Sequence, residues 1–335
     1  MTGKERFIKA LKHEPIIGHV PHFELVFYLT MEVLAKVHPE HRSLHQWQQM
    51  SVSEKELQLG DIADCYIDIA KKYEHDGIFV HLPGPYQVVH KDPIFLKRLL
   101  EIIREKSGDK YFLMIHGDST YSIPNGDNMI AFTERMYEDA QSLKDEAMRN
   151  VEACLEKAYT IAEWAKAGYT GAAGNNLLDG FGLCADYCLN ANPFFTQEQF
   201  AEFITPYLKQ TIDGYRNLGF YSIKHTDGNI MPILDQMLDC GPDALHSLDP
   251  QGGVDLKYMK EYCGEKVCLI GNVNCGLLQT GTDEEVRKDT LRSLRDGMPG
   301  YGYVFSTSNC IYTGMELKRY ELMHGLWREF GEYNW

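Results

Sequence analysis

Several features are missing from this chain of 335 residues. No apolar run approaches the length of a membrane span, so a helical membrane protein is not expected. There is no Ser/Gly linker, no low-complexity tract and no repeat of fixed period, and therefore no obvious seam at which to divide the chain. Positive charge is scarce. The 33 Lys and Arg are outnumbered by 48 Asp and Glu, the formal charge is −15, and no basic stripe offsets it. This excludes nucleic acid as a partner and makes a polyanionic substrate hard to hold. The G-x-G-x-x-G, P-loop and G-x-S-x-G motifs are absent too, which removes dinucleotide, phosphate-loop and nucleophile-elbow chemistry. Nine cysteines are scattered without C-x-x-C spacing. Their odd count points to reduced thiols in a cytoplasm, with a few able to bind metal.

What the chain does contain is a regular alternation of short apolar runs and longer helical patterns, the mark of parallel βαβ units. The runs lie at His19–Glu24, Gly77–Leu82, Tyr111–Asp118, Tyr169–Asn175, a stretch beginning at Tyr221, Ala244–Asp249, Val267–Asn272 and Tyr303–Ser308. Eight strands with helical crossovers predict an α/β fold of the (β/α)8 TIM barrel class, a single domain over residues 1–335. The charged opening MTGKERFIKALKHE reads as an N-terminal helical extension rather than a signal peptide. Thr196–Gln199 and Thr282–Glu285 are capping boxes that start helices. Pro206 lies within the first of these patterns and predicts a kink there. Residues 177–193 read as a long connection in the site wall, and the aromatic tail as a helix packed on the barrel or on a second subunit, which admits a homodimer.

In a barrel of this class catalytic groups sit at the C-terminal ends of the strands. Those ends supply Glu24, Phe79 with His81, His116 with Asp118, Asn175, His225 with Asp227, His246 with Asp249, Asn272, Cys275 and Cys310. His225 and Asp227, two apart in extended chain, point to one face. A single strand-end histidine is usually a satisfied core residue. Four converging on one mouth define a pocket. His225, Asp227, Cys275 and Cys310 are candidate metal ligands, with Asp249 as an alternative carboxylate. Imidazole with thiolate suits zinc better than magnesium, and the competing reading makes each cysteine a small buried hydrophobe. His81, His116 and His225 are candidate proton donors. Glu24, Phe79, Asp118, Asn175, His246, Asp249 and Asn272 are candidates for binding or orienting a substrate. None of the twelve arginines lies at an expected strand end, so the reacting end of the substrate carries little charge.

ERFIKALKHEP with HVP resembles the opening helix and first strand of the uroporphyrinogen decarboxylase superfamily. GNVNCGLLQTGTDEEV resembles its G-N-x-D-P…G-T-x-E-E-V segment, and FSTSNCI its last strand and loop. The resemblance runs over almost the whole chain and covers a superfamily of both porphyrin decarboxylases and corrinoid-dependent methyltransferases. The decarboxylases carry an R-Q-A-G-R segment after the first strand, where this chain reads ELVFYLTMEVL. They also carry an F-S-D motif, where it has Phe79-Val80-His81. His225-Thr226-Asp227 resembles the H-x-C of the methyltransferases' zinc signature with Asp replacing Cys, and Cys310 its distant Cys. The resemblance implies a methyltransferase that moves methyl from a small donor, such as a methoxylated aromatic, to the cob(I)alamin of a separate corrinoid protein. A uroporphyrinogen-type decarboxylase and a barrel that binds a small ligand without turnover are the alternatives.

Overall fold

The computed structural model describes residues 1–83, 93–166 and 177–333. Seven parallel strands form one sheet in sequence order: β2 (Gly77–Val80), β3 (Phe112–His116), β4 (Gly180–Leu183), β5 (Tyr221–His225), β6 (Ala244–His246), β7 (Cys268–Val273) and β8 (Tyr303–Thr307). A separate antiparallel pair joins β1 (Gly18–His19) to β9 (Glu332–Tyr333). Six of the expected strands are found within one to three residues of their predicted bounds.

The first expected strand, His19–Glu24, is not one. Gly18 and His19 belong to the small pair, and the residues after them touch the main sheet only through isolated bridges, His22 to Phe305 and Phe27 to Ile311. The cause is local. On the β2 side the His22 amide donates to the Asp76 carboxylate at 3.1 Å. The Leu25 carbonyl likewise faces the His81 imidazole at 3.3 Å. Side chains occupy backbone groups that a ladder would need, so among the described residues no regular eighth strand closes the ring. The same segment nonetheless meets both edges: Phe23 N–H donates to Phe305 O, and Asp76 N–H to His22 O. The sheet must curl to allow this.

The expected strand Tyr169–Asn175 lies outside the described residues. β4 instead falls at Gly180–Leu183, inside the stretch read as a connection. Its sequence, GFGL, has no β-branched residue and two glycines, which is poor strand propensity. Tertiary space explains the glycine: a Cβ at Gly182 would lie 2.6 Å from the Phe79 ring.

Alternation along the strands divides the core. Phe79, Phe112, Met114, Ile223 and Ala244 join Phe7 and Phe23 in one cluster inside the curl. Their neighbours Ile78, Val80, Leu113, Ile115 and Phe181 pack outward against Ile62, Leu99, Ile161 and Ile212 of the helices. A parallel sheet buried on both faces requires such continuous apolar runs. The helix Gly3–Leu11 covers the N-terminal ends of the strands, where Phe7 stacks on Phe112 at 4.6 Å. Both capping boxes form. Pro206 does more than kink its helix: Gln197–Phe203 stops at Ile204, and Thr205–Asn217 starts with the proline in its first turn. Its missing N–H costs nothing there. The tail helix Leu317–Phe330 packs on its own chain, with Trp327 donating to Val20 O at 3.0 Å.

The buried Lys4 and Arg104 and the half-buried Arg6 also sit at the N-terminal ends. Arg6 pairs with Asp76, and Asp179 takes Lys4 at 2.7 Å and Arg104 at 2.7 Å while accepting the Leu113 amide. Asp179→Ala removes the buried carboxylate that Lys4 and Arg104 share and leaves them only the half-exposed Asp109. It is expected to cost about 3 kcal/mol in chemical denaturation while leaving ligand binding at the opposite face intact.

Candidate active site

His81 and His116 continue the inward alternation of Phe79 and Met114, and His225 and His246 that of Ile223 and Ala244. All four imidazoles therefore meet at the C-terminal mouth of the curl. They form two pairs. His116 Nε2 lies 2.9 Å from His81 Nδ1, and His81 Nε2 faces the Leu25 carbonyl. That carbonyl can only accept, so the proton of His81 sits on Nε2 and His116 donates to its Nδ1. Tyr66 fixes the strand end by donating to His81 O at 2.6 Å and accepting its N–H at 3.0 Å. In the second pair His225 Nδ1 and His246 Nδ1 are 2.8 Å apart, and His246 Nε2 reaches the Ser306 hydroxyl.

Burial sets the protonation. Desolvation pushes His81 down to about 4 and His246 down to about 3. His225 lies well below the ordinary histidine range, through desolvation first and then repulsion from His246, Lys224, His116 and His81. The outer edge of His116 is exposed, but desolvation and His81 lower it too. At neutral pH the mouth holds four neutral imidazoles.

An acidic group adjoins the second pair. His225 Nε2 lies 3.8 Å from Asp186 and 3.9 Å from Asp227, and the three donor atoms fall within 4.8 Å of one another. Asn309 donates to Asp227 Oδ2, yet Asp227 Oδ1 is buried without a partner. Desolvation and the nearby Asp186 raise the Asp227 carboxyl to about 7. An orphaned carboxylate oxygen beside an imidazole nitrogen and a second carboxylate fits a divalent cation. Tetrahedral zinc would draw such donors to about 3.3 Å from one another, a small contraction. His225 would bind through Nε2 and donate its Nδ1 proton to His246, the outer-sphere contact that orients a ligating imidazole.

The four-ligand set expected from sequence is brought together only in its His225–Asp227 half. Cys275 opens a short helix and turns its thiol into the core, against the Cys310 carbonyl at 3.6 Å, where burial pushes it up to about 12. Cys310 is half-buried, and desolvation, then Cys275 and Asp227, raise its thiol. Neither sulfur joins the 4.8 Å group, and Asp186 takes their place.

Several expected binding residues are occupied by structural bonds. Asp118 accepts from Lys224, Thr120 and the Ala185 amide. Asn272 is spanned by Leu248 O and Arg292. Asp249 caps the turn at Gln251 and holds the Gly228 amide. Glu24 is bound by Thr307 and His22. Phe79 lies between the rings of His81 and His116, at 4.3 and 4.5 Å. Asn175 lies outside the described residues. Sequence reading missed Asp186, Glu40, Lys157 and Lys224. Asp186 could have been found three residues past the true β4, had GFGL been read as a strand.

A curled parallel sheet with inward-facing donors at the C-terminal ends of its strands is the layout of catalytic α/β folds. Residues 185–330, which include the acidic group, match the family described as uroporphyrinogen decarboxylase (URO-D). A solved methyltransferase from Methanosarcina mazei has the same fold over 98% of this chain and 99% of its own, with a TM-score of 0.71 and 17% identity. A Xaa-Pro dipeptidase with bound methionine (TM-score 0.43, 14% identity, 91% of this chain and 70% of that one) is a more distant likeness. So is a GH5_18 E153A protein from Streptomyces cattleya in complex with Manb1-4GlcNAc (TM-score 0.44, 11% identity, 85% of this chain and 70% of that one). No curated protein matches the sequence.

Protons and a cation compete for Asp227. With its carboxyl near 7, the affinity for added zinc is expected to rise as pH increases from 6 to 8 and to flatten above. Competition against a chromophoric chelator measures this, and Asp227→Asn should abolish both the binding and its pH dependence.

Proposed function

We propose that the protein is a methyltransferase that moves a methyl group from a small methylated donor, with methoxylated aromatics the leading class, to the cob(I)alamin of a separate corrinoid protein. In this reading the whole chain, residues 1–335, works as one (β/α)8-type barrel in the cytoplasm, in keeping with nine free thiols and with the absence, among the described residues, of a helix long and apolar enough to cross a membrane. The observation that carries the proposal is the Asp186–His225–Asp227 group, with its orphaned carboxylate oxygen, set among neutral imidazoles at the mouth. The superfamily match and the methyltransferase of like fold support it.

The chemical demand is charge control on oxygen. When the methyl carbon leaves an ether, the electron pair of the broken bond stays on oxygen, and an aryloxide is a poor leaving group unless neutralised. Zinc held by His225, Asp186 and Asp227 would supply Lewis acidity there. The protein's own residues do the rest. His246 orients His225, and Asn309 fixes Asp227. His116 gives its Nε2 proton to His81 and, neutral at the mouth, presents Nδ1 as a hydrogen-bond acceptor. Exposed Met31, Val37 and Leu189 on the connections above the mouth supply apolar rim for a docking corrinoid protein.

Decarboxylation of a tetrapyrrole wants arginine forks for carboxylates. Among the described residues no arginine makes a hydrogen bond or ion pair with the four histidines or the acidic group. Arg6 and the buried Arg104 are committed at the opposite end of the sheet. A barrel without turnover would not need the orphaned oxygen.

Spectroscopic loss of cob(I)alamin in the presence of a methoxylated phenol tests the reading. His225→Ala and Asp227→Asn are each expected to slow methyl transfer about a hundredfold without loss of fold. Full activity in both variants would sink it.

A further inference from the structure

The segment after His19 stands where a closing strand would be, and one of its side chains reaches across to the last strand. Glu24, its side chain fully enclosed, accepts the Thr307 amide at 3.2 Å and the Thr307 hydroxyl, from 283 residues away in sequence. Its other oxygen faces His22 Nε2 at 3.3 Å. Thr307 is the last residue of β8 and is itself buried. Its hydroxyl also lies 2.7 Å from the Asn309 carbonyl, so its single proton is shared between that carbonyl and Glu24. The bond ties the chain back on itself just past the strand end.

That tie aims Asn309. Its side-chain oxygen accepts the Cys310 amide at 2.7 Å, which fixes the orientation of the side chain and leaves Nδ2 to donate to Asp227 Oδ2. Ser247 also borders Asp227, but its hydroxyl gives its proton to Ser308 O. Asn309 is then the side chain that donates to Asp227 among the described residues. With Oδ2 taken, Oδ1 is the oxygen that faces His225 Nε2, at 3.9 Å, and the one left bare. A carboxylate free to rotate about its last bond would offer either oxygen or both. Held at one, it offers a single oxygen in a fixed direction, as a preorganised ligand must.

We propose that Glu24 and Thr307 are positioning residues of the acidic group: they hold Asn309 so that Asp227 presents Oδ1 alone to a cation at His225 and Asp186. The purpose rests on the cation reading of that group, but the contacts do not. Glu24 is enclosed and touches no ligand, so it acts only through the strand end. The role asks for hydrogen bonds and not for charge. Glutamine at position 24 would keep an oxygen for Thr307 and set an N–H against His22 Nε2. That nitrogen is free to accept there, because His22 Nδ1 donates to the Tyr73 carbonyl at 2.9 Å.

Two readouts on the whole protein test the proposal. In metal-free protein the Asn309 side-chain amide, identified by NMR through its loss in Asn309→Ala, is expected to exchange slowly with solvent. Thr307→Val removes the hydroxyl and should return that signal to the fast exchange of a free amide. Thr307→Ser and Glu24→Gln, which keep the bonds, should keep it protected. In zinc titration against a chromophoric chelator, Thr307→Val should lose about tenfold in affinity, and the two conservative variants should stay within about threefold of wild type. A free Asn309 amide in wild type, or one still protected in Thr307→Val, would overturn the proposal. So would unchanged zinc affinity in Thr307→Val, or a loss as large in Glu24→Gln, which would make charge the cause. Thr307→Ala, which lacks the hydroxyl without crowding, serves if Thr307→Val does not fold. Should wild type bind no zinc while the amide pattern holds, the cation reading falls and the positioning of Asp227 stands.

Discussion

The mouth of this protein depends on one buried ion pair. Lys224, fully enclosed on the outward face of β5, donates to Asp118 at 2.8 Å and to the carbonyls of Leu183 and Ala185, with its ammonium 4.0 Å above the Tyr187 ring. Three successive strand ends are thereby tied to one charge. Burial alone would raise the Asp118 carboxyl, but the ammonium, the Thr120 hydroxyl and the Ala185 amide hold it below the usual carboxylate range. Such a pair gives little net stability over apolar packing, yet removing one member is costly. Its contribution is positional. Lys224 precedes His225 and Ala185 precedes Asp186, so fixing the former two sets the spacing of two of the three candidate ligands.

The same economy of polar groups shapes the rest of the site. Neutral imidazoles can serve as donor and acceptor at once, and two of the histidines here do so: His81 with Leu25 and His116, His246 with His225 and Ser306. Desolvation keeps them uncharged, so four can crowd together without repulsion. The uncompensated groups are then conspicuous. Chief among them at the mouth is Asp227 Oδ1, beyond a strand whose glycine leaves room for Phe79.

Much of the fold was legible because it follows from local rules. Inward and outward alternation identified six of the seven sheet strands, and Thr196 and Thr282 announced their helices through capping chemistry. The errors have physical causes. GFGL has weak strand propensity and is held by neighbours on both sides, which no window of sequence contains. The segment 19–24 has the alternation of a strand, but Asp76 and His81 compete for its backbone from more than fifty residues away. Pro206 was read as bending a helix that it instead begins.

For the site, sequence by itself determined that His81, His116, His225 and His246 would share the inner face of one end of the sheet, since a period of two and a common strand direction allow nothing else. It also placed none of the twelve arginines at an expected strand end. Only tertiary structure decided which groups remained available. Asp118, Asp249, Asn272 and Glu24 looked equivalent to Asp227 along the chain, but partners distant in sequence satisfy their oxygens and leave Asp227 Oδ1 bare. The replacement of the two thiols by Asp186, and the approach of Lys157 to His116, depend likewise on how helices and loops fold back over the strands. Hydrogen-bond saturation belongs to three-dimensional neighbours, and residue type alone does not carry it.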